Sequence, residues 1–312
     1  MTTILCITLN PAIDVTLQLD ILKIGEVNRQ QNIECHAAGK GLNVAQVLKD
    51  LGHKVIVTGF LGQNNRQIFD QHFATQHFHN QFVYVEGETR QNIKVAEQSG
   101  RMTDINGKGF LVSEQHKQQL QQQISQLLEQ FEIVVIAGSL PQGFSTFELA
   151  ELIKWLKSKG KKVVVDTSGS ALSAAISAQP WMIKPNTDEL AETYLQPAQS
   201  YLQQKQLFQS LQIPEIEHII VSMGELGVNW LGQQQDFHAN APKVTVKSTV
   251  GAGDSLLAGM IHGLIQKNSA QETLKTATAI GSHAVTQIGF HIPQNSIIDD
   301  LKQQISVTAL SE

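Results

Sequence analysis

Residues 247–260 read KSTVGAGDSLLAGM. A β-rich run, VTVKSTV at 244–250, enters two glycines that flank Ala252, and an apolar-periodic segment follows. A chain built this way makes an anion site at a helix N-terminus, where unpaired N–H groups and the positive dipole end attract phosphate. Gly251 and Gly253 allow a sharp turn and close backbone approach, so the N–H groups of Ala252, Gly253 and Asp254 are expected to point at a ligand. A carboxylate at Asp254 is then out of place in an anion cradle. A chemical explanation is available: a transferring phosphoryl group needs such donors, and an alcohol acceptor must lose a proton that a neighbouring carboxylate can take. So is a structural one, because Asp is a favoured helix cap. The motif alone does not choose between them.

The common phosphate fingerprints do not fit. A Walker A loop needs GxxxxGK followed by Ser or Thr, and the chain offers only GKG at Gly39–Gly41. A dinucleotide loop needs GxGxxG, but GAGDSL places Leu256 at the third glycine. Lys and Arg total 23 against 28 Asp and Glu, a formal charge of −5. That balance argues against a nucleic-acid surface, so positive charge for an anionic ligand must be local. Two cysteines, Cys6 and Cys35, are too few for a disulfide framework. The opening MTTILCITLNPAID reads as a strand rather than a signal peptide, and no apolar run approaches the roughly 18 residues of a membrane span. A reduced cytoplasmic protein is expected, with no membrane partner.

Strand and helix patterns alternate along the 312 residues. TILCITL, KVIVTGF, EIVVIAG, KKVVVDT and HIIVS are near-continuous apolar runs, as in parallel strands buried on both faces. GLNVAQVLKDLG and the Gln-rich stretch near 114–130 carry helical spacing; in the latter Leu120, Ile124, Leu127 and Leu128 form one apolar stripe. Residues 12–36 and 82–104 instead alternate without an intervening helix. They are expected to form a small separate sheet, inserted in sequence and joined in space. AAGKGLN at 37–43 is a second Gly-rich turn feeding a helix. Two such turns near opposite ends of one α/β chain strengthen each other.

HAAGKGLNVAQVLKDLG, KPNTDE and STVGAGDS together resemble the ribokinase (PfkB) carbohydrate kinase superfamily, over nearly the whole chain. TLNPAIDVT, GEVNR and TRQNIK resemble its phosphosugar branch. The resemblance implies one ribokinase-like α/β domain over 1–312: three layers, a mostly parallel sheet and a small β lid that also makes a homodimer contact. It implies Mg2+-ATP-dependent phosphoryl transfer to the 6-hydroxyl of fructose 1-phosphate, with tagatose 6-phosphate or fructose 6-phosphate as the alternative acceptors. Asp254 is the implied base, and the backbone of Gly251, Ala252 and Gly253 the anion hole. Asp14 and the loop with Gly39, Lys40 and Asn43 would hold the sugar. ATP would lie against Lys184, Asn186, Ser222, Gly224, Gly227 and Thr249, with Glu189 ordering Mg2+ through water. Ser139 resembles a contact on the sugar side.

Two groups can be weighed on their residues alone. In TRQNIKV, period two puts Arg90, Asn92 and Lys94 on one strand face. Two cations and an amide in a net-acidic chain suit a sugar phosphate, which Arg can grip with paired hydrogen bonds; a solvated sheet face is the alternative. Asn186 followed three residues later by Glu189 is also a capping-box helix start, which needs no function. His36 and His283 show no partner in the sequence and suggest no catalysis. A non-catalytic sugar-phosphate binder is the competing class, and an intact Asp254 argues against it.

Overall fold

The computed structural model describes residues 2–287, 291–292 and 296–311. The chain opens with β1 (Thr3–Thr8), β2 (Ala12–Leu19), β3 (Asn32–Ala38), α1 (Lys40–Asp50), β4 (Lys54–Gly62), α2 (Gln67–Gln76) and β5 (His79–Val85). It continues through β6 (Arg90–Glu97), β7 (Met102–Asn106), α3 (Glu114–Leu127), β8 (Ile133–Ala137), α4 (Thr146–Ser158), β9 (Lys162–Asp166) and α5 (Gly169–Ser177). Then follow β10 (Met182–Ile183), α6 (Thr187–Tyr194), α7 (Tyr201–Leu211), β11 (His218–Ser222), β12 (Val228–Gly232) and β13 (Asp236–Ala239). The last elements are α8 (Ala252–Ile265), α9 (Ala270–Ala284), α10 (Ser296–Gln303) and β14 (Val307–Leu310).

Ten strands form one sheet in the order β14-β13-β12-β11-β10-β9-β8-β1-β4-β5. From β11 to β5 all neighbours are parallel, and β12, β13 and β14 complete an antiparallel edge. The apolar runs sit where their composition requires, buried on both faces. In β1, Ile4 and Cys6 pack into a core shared with α1, α2, α8, α9 and α10. Leu5 and Ile7 pack into a second core with α3, α4 and α5 on the opposite face. The result is three layers. The Gln-rich α3 buries Leu120, Ile124 and Leu127 and exposes its polar remainder, and a capping box at Ser113 starts it.

The order turns around at β1: the chain moves from β1 to β4 on one side and to β8 on the other. In an open α/β sheet, ligands bind in the crevice at the carboxyl ends of the strands at such a switch point. Gly59, partnered with Thr8, keeps β1 and β4 close there. Its φ is 135°, and a Cβ would lie 1.9 Å from Thr8 O. Gly59→Ala is therefore expected to cost more than about 3 kcal/mol, read as a lowered denaturant midpoint; an unchanged midpoint would refute this packing.

β2, β3, β6 and β7 make a second sheet in the order β3-β2-β6-β7. Its second segment starts later than the alternation at 82–104 suggested. Phe82–Val85 belong to β5 and pair with Gly59–Gly62 in the large sheet, because Phe82, Val83 and Val85 can be buried there. The β-rich run 244–250 is not a strand either. The large sheet's edge beyond β13 is occupied by β14, and the N–H groups of Lys247 and Ser248 bond instead to Val285 O after α9.

Candidate active site

α1 and α8 point their N-termini at the carboxyl edge of the sheet. Gly251 caps α8 with a φ of 80°, a left-handed conformation that glycine adopts without strain. The first bond of the helix ladder is Ser255 N–H to Gly251 O, at 2.9 Å. The N–H groups of Ala252, Gly253 and Asp254 precede that ladder and have no partner within it. α1 follows Gly39, and Gly41 seats the helix on β1 so closely that a Cβ would lie 2.9 Å from Ile7 O. This approach brings Asn43, 211 residues distant in sequence, onto Asp254: Asn43 Nδ2 donates to Asp254 Oδ2 at 2.7 Å.

Asp254 is 4% exposed. Burial, then the nearby Asp166 carboxylate, push its pKa up to about 6, against the opposing pull of Lys40, Asn43 and Lys184. Asp166 ends β9, and its Oδ1 lies 3.5 Å from both Lys40 Nζ and Lys184 Nζ. Lys40 Nζ is also 3.8 Å from Glu189 Oε1. Asp166 foremost, then Asp254 and Glu189, hold the Lys40 ammonium above its ordinary range despite burial. A Cβ on Gly253 would meet Lys184 Nζ at 3.0 Å, so the glycine makes room for the ammonium beside the helix start. The cluster thus joins anion-attracting N–H groups and two ammoniums to a carboxylate that can change protonation near neutrality.

Asn186 and Glu189 do form a capping box on α6. Asn186 Oδ1 accepts from Glu189 N–H at 2.7 Å, and Asn186 N–H donates to Glu189 Oε2 at 2.9 Å. Glu189 Oε1, facing Lys40, is not part of that box. Ser222 ends β11 with its N–H on Pro185 O at 3.1 Å. The turn after it uses Gly224 and Gly227 at positive φ, and Gly227 lies so near Ala239 O that a Cβ would be 2.0 Å away. Thr249 is exposed in the irregular segment before α8, without a hydrogen bond to the cluster.

The second sheet presents a polar face. Asp14 is opposite Asn92 in register, and Thr16 is opposite Lys94. Asn92 Nδ2 donates to Asp14 Oδ1 at 3.2 Å and Lys94 Nζ to Asp14 Oδ2 at 2.5 Å. Period two therefore brought these residues together, but Lys94 is already paired with a carboxylate. Arg90 is differently engaged than the pattern suggested. It donates to Asn10 O, Pro11 O and Gly107 O at 3.1, 3.3 and 3.0 Å, bracing the β1–β2 and β7–α3 connections. Three of its five N–H groups are used and two remain. Ser139, exposed after β8, accepts from Asn10 Nδ2 at 3.1 Å. His36 lies 3.5 Å from Glu34, an exposed partner the sequence did not reveal.

Asp166 and Asn10 were not singled out in the sequence. Each stands where an apolar strand reaches its carboxyl end, in VVVDT and ITLNP, and that position was the available signal. Among the described residues no three His, Cys, Asp or Glu side chains cluster as a metal site. No helix among them is long and apolar enough to cross a membrane. Buried Cys6 and exposed Cys35 are both free thiols.

The family described as pfkB family carbohydrate kinase matches residues 1–296. A 1-phosphofructokinase of Vibrio cholerae is 42% identical over 307 residues, 98% of this chain and 97% of that protein. A tagatose-6-phosphate kinase of Staphylococcus epidermidis is 33% identical, covering 97% of this chain and 99% of its own. Among solved structures, the phosphofructokinase-2 of Escherichia coli in complex with fructose-6-phosphate superposes with a TM-score of 0.86 at 25% identity, over 97% of this chain and 99% of that one.

Proposed function

The chain belongs to the pfkB family of carbohydrate kinases, and we propose that, as a single kinase domain over 1–312, it transfers the γ-phosphoryl group of ATP to the 6-hydroxyl of fructose 1-phosphate. The products are fructose 1,6-bisphosphate and ADP. The observation that carries this reading is the 42% identity, over nearly its full length, to a 1-phosphofructokinase. The geometry supplies the chemistry. Asp254 accepts the proton of the 6-hydroxyl, and its raised pKa makes it a better proton acceptor than an ordinary aspartate while still ionised at pH 7. Asn43 orients that carboxylate. The N–H groups of residues 252–254, with Lys184 beside Gly253, hold the transferring group's charge. Asp14, with Asn92 and Lys94, faces the sugar hydroxyls, and the remaining N–H groups of Arg90 face the 1-phosphate.

Mg2+ fits the same corner. Asp166 Oδ2 is buried without a hydrogen-bond partner, and Glu189 Oε1 lies outside its capping box. Hard oxygens of one or two carboxylates, completed by phosphate and water, suit this ion. Bound there, with Glu189 acting through water, it would neutralise phosphate charge. ATP and phosphosugars place the reaction in the cytoplasm, where free thiols persist.

The decisive experiment compares kcat/KM for fructose 1-phosphate, fructose 6-phosphate and tagatose 6-phosphate, in the wild type and in Arg90→Ala. Fructose 1-phosphate is expected to lead. Arg90→Ala is expected to raise its KM at least about tenfold while leaving the KM for ATP within about twofold. Preference for another acceptor would overturn the substrate, and an unchanged sugar KM would remove Arg90 from the site.

The opposite face of the small sheet supports a homodimer through the lid. Register aligns Ile33 with Leu17 and Val95, and Val15 with Ile93 and Ile105, so this face is apolar. Ile33 and Ile105 remain 50% and 57% exposed. Light scattering is expected to give twice the 34.3 kDa chain mass, and the Ile33→Glu/Ile105→Glu double variant the single mass. A monomeric wild type would refute the dimer.

A further inference from the structure

At the amino ends of β1, β4 and β5, across the sheet from Asp254, lies a cavity of about 530 Å3. Lys49, His53, Lys54, His77 and His79 line it, and among the described residues no carboxylate does. Two cations, Lys49 and Lys54, thus share one concavity with three histidines in a chain of net charge −5. A focused positive field of this kind raises the local concentration of anions. Lys54 makes no ion pair among the described residues, whereas Lys49 donates only to the neutral Gln76. The cavity's size is that of a metabolite site.

A buried group within it also lacks a partner. His53 is 6% exposed; its Nε2 lies 3.0 Å from His262 Nδ1, and its own Nδ1 is buried with no hydrogen bond. When His262 donates, the neutral His53 ring carries its proton on Nδ1, an N–H without an acceptor. Burial, then His262, keep that ring neutral, at a pKa of about 4. The place also bears on the active site. His53 follows α1 and His262 lies in the last turn of α8, so their contact ties the far ends of the two helices whose N-termini carry Asn43 and Asp254.

We propose that this cavity is a second ligand site, taking a small phosphate-bearing anion of two or more charges, with Lys49 and Lys54 as its cations and His77 and His79 beside them. Pyrophosphate is the probe, and the ring resonances of His77 and His79 in the full-length protein are the readout, because both line the cavity away from the catalytic centre. Saturable shifts of both rings are expected. Lys54→Glu should weaken the apparent affinity at least tenfold with basal kcat unchanged, and Lys159→Glu, an exposed lysine on another helix end, should leave it within twofold. Rings that do not shift, or the same affinity in Lys54→Glu as in the wild type, would overturn the site.

Discussion

Asp254→Asn is expected to lose kcat by about 10²–10⁴-fold, the contribution of a positioned general base, with both KM values within a few-fold of wild type. The amide oxygen keeps the hydrogen bond from Asn43, so the pocket retains its shape, but no group accepts the hydroxyl proton. Near-normal turnover would end the assignment of Asp254 as base. The wild type should also show an acid limb in kcat/KM near pH 6, set by the raised pKa of the free enzyme. A second readout separates chemistry from folding. Because the folded-state pKa is raised, protonated Asp254 contributes stability that is present below pH 3.8 and lost as pH rises through about 6. The ligand-free Asp254→Asn protein should therefore be more stable than wild type at pH 7–8, on the order of 2 kcal/mol. The difference should vanish below pH 4. Lower stability at pH 7 would show that the ionised carboxylate is better satisfied than its surroundings imply.

Lys40→Met tests the charge arrangement rather than the proton transfer. Lys40 stands between Asp166 and Glu189 and also lowers the pKa of Asp254. Without its charge, burial and Asp166 act on Asp254 with only Asn43 and Lys184 opposing. The Asp254 pKa rises further, and the acid limb of kcat/KM moves upward from about 6 toward neutrality. At pH 7 kcat is expected to fall by about 10–10², with partial recovery at pH 8.5 as Asp254 ionises. Lys40→Arg, which keeps the charge, should leave the limb near its wild-type position. An unmoved limb in Lys40→Met would mean that the ammonium does not act on Asp254.

The chemistry-bearing loops were legible because their residue types are local instructions. Gly251 and Gly253 permit a turn few other residues permit, and Asn186 with Glu189 caps a helix wherever the pair falls. Period two correctly set Arg90, Asn92 and Lys94 on the face of Asp14. It could not show that Lys94 is neutralised by Asp14 or that Arg90 braces three carbonyls, since those partners lie 78 to 80 residues away or across a separate turn. The run at 244–250 failed as a strand for a related reason. β-propensity states fitness for a sheet surface, and the edge beyond β13 is taken by β14, some sixty residues later in the chain.

The sequence by itself determined the alternation of buried strands and amphipathic helices, the two glycine turns and the presence of Asp254 behind one of them. Periodicity and backbone freedom are properties of a few neighbouring residues, so they survive without the fold. The tertiary structure alone decided that Asp254 is no helix cap, since Gly251 caps α8, but a buried carboxylate of raised pKa. Its pKa depends on removal from water and on Asp166, Lys40, Lys184 and Asn43, which three separate elements or their ends deliver to one crevice. Desolvation and Coulomb interactions act through space, and sequence spacing does not record those distances.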